Sequence, residues 1–138
     1  MTVGVLLITH EAIGSALIES LQKMLPKCAL PIKNLSIHRD QSTEAYLPQG
    51  QQLINQLDSG NGVLILTDIY GSTPSNLAEQ LTKNNQARAV AGVNLPMLVK
   101  LHNYPDSSLE ELVTKATTGG KTGILCCKSV QLDNDNND

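Results

Sequence analysis

The chain has 138 residues, 41% of them apolar and 17% charged, so it is long enough to bury one core and too apolar to be a disordered protein. A net charge of −3, a pI near 5.5 and the lack of a basic stripe or aromatic platform argue against nucleic acid as a partner. No stretch is apolar for long enough to cross a bilayer, and three cysteines (Cys28, Cys126, Cys127) fit reduced thiols better than a disulfide framework.

In chain order, strand and helix patterns alternate. Met1 leads straight into a buried strand over Val3 to Ile8, with no signal peptide, so a cytoplasmic protein is expected. Ile13, Ala16, Leu17, Leu21 and Met24 recur at helical spacing until Pro26. Leu35 and Ile37 mark a short second strand. A helix then runs to about Leu57, with Pro48 obscuring its start. Val63-Leu64-Ile65-Leu66 reads as a strand buried on both faces, as in a parallel sheet. Pro74 to Leu81 is the next helix, and Arg88 to Val93 a fourth strand. Asn94-Leu95-Pro96 opens a helix containing Met97, Leu98 and Leu101. Ser107 or Ser108 caps another, with Glu110 and Glu111 in its first turn. Gly119-Gly120 is expected to stop that helix, leaving Thr122 to Cys126 as a short edge strand. The end of the chain is acidic and free of apolar residues after Leu132, which predicts a disordered tail over 129–138 after one domain over 1–128. With no Phe or Trp, the core must be almost wholly aliphatic.

This pattern predicts a three-layer α/β domain with a mainly parallel sheet in the order 2-1-3-4, plus the short C-terminal edge strand. Such a sheet holds its ligand where the winding reverses, between strands 1 and 3. His10 follows strand 1 and Asp68 follows strand 3, so both fall in neighbouring loops at that crevice. A carboxylate accepting one imidazole N–H fixes the tautomer and leaves the other nitrogen to attack a phosphoryl group. The turn Gly71-Ser72-Thr73-Pro74, opening a helix, offers backbone N–H groups to phosphoryl oxygens, and no metal or cofactor is called for. The plainer alternative makes Asp68 a helix cap and His10 a surface residue.

Other motifs carry less. Gly119-Gly120-Lys121-Thr122 lacks the first Gly of a phosphate-binding loop, since Lys115 stands there. His38 and His102 are expected at the surface on separate elements, and Cys126-Cys127 lacks the two-residue gap of zinc sites. Arg39, near strand 2, reads as an isolated, solvated charge rather than as one that steers a phosphate. A receiver-like signalling domain phosphorylated on Asp68 fits the topology. It would need two acidic residues after strand 1 to hold magnesium and a Lys after strand 5, and only Glu11 and Lys128 are available.

The residues also resemble the enzyme IIA domain of the mannose family of the bacterial phosphoenolpyruvate-dependent sugar phosphotransferase system. The resemblance rests on Thr9-His10 after strand 1 and on Gly62-Val63-Leu64-Ile65-Leu66-Thr67-Asp68. It extends to Gly71-Ser72-Thr73-Pro74 with Asn76, and to Ala91-Gly92-Val93-Asn94-Leu95-Pro96-Met97-Leu98. Two departures are Tyr70, where many members carry Trp, and Ser72, where many carry a second Gly. The resemblance implies a flavodoxin-like fold and a phosphohistidine carrier. In that role His10 accepts phosphate from the phosphocarrier HPr with Asp68 in support, and Thr9, Gly71, Ser72 and Thr73 hold the phosphoryl group. It also implies a IIB protein or a regulatory target downstream, contact with a membrane only through a transporter complex, and a homodimer. A related phosphotransferase subunit of a dihydroxyacetone kinase is the alternative within the same chemistry. Since no Ala/Pro linker or IIB portion follows, a free-standing IIA is expected.

Overall fold

Four parallel strands form the sheet of this computed structural model, which describes residues 1–128. They are β1 (Gly4–His10), β2 (Ile32–Ile37), β3 (Val63–Thr67) and β4 (Ala87–Ala91), in the order β2-β1-β3-β4. Five helices alternate with them: α1 (Ile13–Met24), α2 (Thr43–Leu57), α3 (Thr73–Thr82), α4 (Leu95–His102) and α5 (Leu109–Thr122). The expected topology and layer count are both observed.

The unbroken apolar runs follow from coverage of both sheet faces. Successive side chains of a strand point to opposite faces. Val5, Leu7, Leu64 and Leu66 therefore pack with Leu21, Met97, Leu98, Leu101 and Leu112 of α1, α4 and α5. Leu6, Ile8, Val63 and Ile65 pack with Tyr46, Ile54, Leu57, Leu77 and Leu81 of α2 and α3 on the other side. Leu6, Leu7, Ile8, Leu64, Ile65 and Leu66 are completely buried. Burial of each such side chain stabilises the fold by about 1.5–3 kcal/mol, so the two central strands are rigid supports for whatever stands at their ends.

One open point is settled and three local expectations change. α2 runs from Thr43 through Pro48, because Pro48 lies on the exposed face early in the helix, where its missing N–H orphans only the carbonyl of the equally exposed Glu44. The pair Gly119-Gly120 does not stop α5. A Cβ on Gly119 would lie 2.7 Å from Lys100 Cβ, and one on Gly120 would lie 3.0 Å from Met97 Cε. These glycines are where α5 crosses close over α4, so the helix continues to Thr122 and Gly123 caps it. As a result the expected strand Thr122 to Cys126 does not form: residues 124–128 carry no strand, and Ile124 and Leu125 are exposed. Finally, His102 is buried rather than at the surface, with Nδ1 2.8 Å from the Leu98 carbonyl one turn back. It completes the inner face of α4, and that bond satisfies one of its ring nitrogens. The expected tail over 129–138 lies outside the described residues.

Candidate functional site

The strand register sets the site. Ile8 pairs with Thr67 across β1 and β3, so the chain leaves both strands side by side and His10 meets Asp68 just beyond. Asp68 Oδ2 accepts two hydrogen bonds from one residue: the His10 backbone N–H at 3.1 Å and the ring nitrogen Nδ1 at 2.8 Å. Its Oδ1 accepts from the Ile69 N–H at 3.1 Å. The Asp68 side chain is 8% exposed and that of His10 is 40% exposed. The carboxylate is thus a buried fixture, and the ring is its accessible end.

Burial, the largest single influence, pushes the Asp68 pKa up. The hydrogen bonds from the His10 ring, the His10 backbone and Asp68's own backbone outweigh it and hold the group below its ordinary value. An ionised carboxylate only accepts, so Nδ1 carries the proton and, in the neutral ring, Nε2 keeps its lone pair. This is the state required of a nitrogen nucleophile.

The β3–α3 turn adds the second part. Gly71 has φ +82°, in the region glycine adopts without penalty, and this lets the chain turn sharply into α3. Its N–H donates to Ser75 Oγ at 3.3 Å, and Ser72 Oγ donates to the Ile69 carbonyl at 2.6 Å. Ser72 therefore occupies the N-cap position without capping α3 through its side chain, and Pro74 sits in the first turn. Thr73 lines the same cavity as His10, with Glu11, Ile37, His38, Arg39 and Gln41.

The structure thus gathers His10, Asp68 and Thr73. Gly71 and Ser72 stand beside them, with the Gly71 N–H and the Ser72 hydroxyl engaged within the turn. Thr9 does not join them. Its side chain is wholly buried on the other face of β1, where Oγ1 accepts the Gly14 N–H at 2.7 Å at the start of α1. Alternation along the strand turns Thr9 away wherever His10 faces the crevice.

Sequence reasoning missed the pairing of Glu11 with His38 beside the histidine. His38 Nδ1 lies 3.0 Å from Glu11 Oε1, and the two stand at the rim of the cavity with Arg39. The available signal was topological: His38 directly follows β2, which neighbours β1, so its backbone had to emerge at the same sheet edge as His10.

Residues 4–117 match the model of the family described as the PTS system fructose IIA component. The chain belongs to this family. The mannose-specific EIIAB component of the phosphotransferase system (PTS) from Escherichia coli strain K12 is 26% identical over 136 residues, which cover 96% of the chain. That alignment takes in 42% of the relative, so the chain spans less than half the length of this curated IIA-family protein. Among solved structures, the mannose/sorbose specific IIA subunit from Enterococcus faecalis superposes with a TM-score of 0.83 at 23% identity, covering 94% of this chain and 97% of that one. A IIA protein associated with the fucose utilization operon of Streptococcus pneumoniae superposes with a TM-score of 0.70 at 23% identity, covering 96% and 98%. At such identities the likeness of structures is a likeness of fold, and it is the IIA fold of the mannose type. Among the described residues no helix is long and apolar enough to cross a membrane.

Proposed function

We propose that this IIA-family chain is a phosphohistidine carrier, with His10 Nε2 as the acceptor. The observation that carries the reading is the 2.8 Å contact between His10 Nδ1 and the buried carboxylate of Asp68. It presents the lone pair of Nε2 to the cavity and places a negative charge behind a ring that becomes cationic on attack. In the step, the bond between phosphorus and the donor breaks as the Nε2–phosphorus bond forms. The donor departs with the electron pair, and the Nδ1 proton stays between ring and carboxylate. Thr73 and the N–H groups at the start of α3, left without a side-chain cap, receive the phosphoryl oxygens. The Gly71 N–H and the Ser72 hydroxyl contribute only if their bonds within the turn open.

HPr is the proposed donor. A separate IIB protein or a regulatory target is the proposed acceptor, in the cytoplasm, with the chain acting as a homodimer. Membership of the family and the accessible His10 ring support this assignment. Purified phospho-HPr, with EDTA present, is expected to label the chain in a form that survives alkali and is lost in mild acid, as a phosphoramidate is. Label that needs magnesium and hydrolyses in base would instead assign the acceptor role to Asp68, as in a receiver domain.

A further inference from the structure

Lining the cavity with His10 is the turn His38–Gln41, and it is fastened at several points for an exposed loop. The Gln41 N–H approaches the His38 carbonyl at 3.4 Å, and the His38 N–H donates to Tyr46 Oη at 3.0 Å. Tyr46 itself is buried in α2. The Glu11 N–H donates to the Ile37 carbonyl at 3.1 Å, and the Glu11 carboxylate accepts from the His38 ring. Glu11 holds a left-handed φ of +45°, which a non-glycine residue adopts only under strain. That geometry turns its carboxylate toward His38. The loops after β1 and β2 are stapled together in front of the histidine.

The charges in the lining and behind His10 are unequal in what they can still do. Asp68 is committed to His10 and Glu11 to His38. Arg39, on the same wall, forms no ion pair with a carboxylate among the described residues. We propose that Arg39 binds the phosphoryl group carried by His10, and that the Glu11–His38 staple is the positioning device for the turn that presents it. This deepens the carrier reading and rests on it. A phosphoryl group on Nε2 brings up to two negative charges into a cavity of about 280 Å³. A guanidinium matches its oxygens with a planar fork of N–H donors, which an ammonium does not. Without its partner His38, Glu11 would repel the same group. The pair therefore does two things at once: it fixes the turn and offsets the only lining carboxylate that faces the solvent side.

Two measurements on the full chain test this and keep it separable from the carrier reading. Inorganic phosphate is titrated into wild type, Arg39→Gln and Arg39→Lys and followed by NMR at the Arg39 side chain, His10 and Thr73. In wild type all three signals are expected to move along one saturable curve. In Arg39→Gln the Kd should rise at least about tenfold, the loss of one charged hydrogen-bond donor, with Arg39→Lys in between. Transfer from phospho-HPr is then measured. Arg39→Gln is expected to lower kcat about tenfold to a hundredfold with KM held, since the contact forms with the group in transfer. Phosphate binding through Arg39 in a chain that takes no phosphoryl group would sink the carrier reading and leave this site standing. Normal phosphorylation with phosphate affinity and kcat indifferent to Arg39→Gln would overturn the proposal, as would a change confined to KM.

Discussion

Two histidine–carboxylate pairs stand at the same edge of the sheet, built from the same chemical groups, and they differ in nearly everything else. In the pair His10–Asp68 the carboxylate is 8% exposed and is held by backbone N–H groups as well as by the ring. In the pair His38–Glu11 both side chains are more than 60% exposed, at 62% and 61%. Water competes with the second pair and hardly with the first, so similar distances, 2.8 and 3.0 Å, mean unequal constraint. A His beside a carboxylate is therefore not by itself a nucleophile. It becomes one when the carboxylate is immobile and the free ring nitrogen faces a cavity.

The comparison breaks most plainly at the acceptor. His10→Ala is expected to lose all label from phospho-HPr, whereas His38→Ala keeps it on His10, as peptide mapping would show. Label that follows His38 would reverse the assignment of the pairs.

Next in size is the loss of each carboxylate. Asp68→Asn should fold normally yet accept phosphate roughly ten- to a thousandfold more slowly, by analogy with tautomer loss in hydrolytic triads. Glu11→Gln is expected to stay within about tenfold of wild type, the scale of an exposed pair. Single-turnover transfer rates check both, and equal losses would mean that the buried pair has no special role.

Acid sharpens the contrast further. The Asp68 pKa is depressed in the folded state, so its contribution is fully present above the ordinary Asp value of about 4 and lost as pH falls through the folded value. The stability advantage of wild type over Asp68→Asn should accordingly be present at pH 6 and vanish in strong acid, as read by thermal melting. An advantage that grew on acidification would have the wrong sign.

The smallest effect concerns stability at the rim. Glu11, although its pKa is lowered chiefly by the His38 hydrogen bond, lies in open solvent. Glu11→Gln should leave the unfolding midpoint nearly unchanged, and move it less still at high salt. Denaturant titrations at two ionic strengths would show it.

Much of this was legible in the sequence. The runs Val3 to Ile8 and Val63 to Leu66 can only be strands covered on both faces, and a doubly wound order puts His10 and Asp68 at one crevice. What misled was local punctuation read without its neighbours. Gly119-Gly120 looks like a helix stop until α4 is placed against it, since a close crossing needs the missing Cβ as much as a turn does. His102 looks polar until its ring nitrogen finds the Leu98 carbonyl. Thr9 looked like a site residue by adjacency to His10, although strand alternation sends the two side chains to opposite faces. The staple of Glu11 to His38 joins residues 27 apart and depends on a left-handed φ at Glu11, which no composition or spacing announces.

Which atom bears phosphorus in the labelled chain decides among these ideas with one spectrum. Nitrogen-15 and phosphorus-31 NMR of the phosphorylated chain resolve substitution at Nε2 from substitution at Nδ1. With Nδ1 bonded to Asp68, the phosphorus should couple to Nε2 of His10 while Nδ1 keeps its proton. Phosphorus on Nδ1, or on an oxygen of Asp68, would mean that the 2.8 Å pair is broken in the working state and that the carboxylate does not aim the histidine.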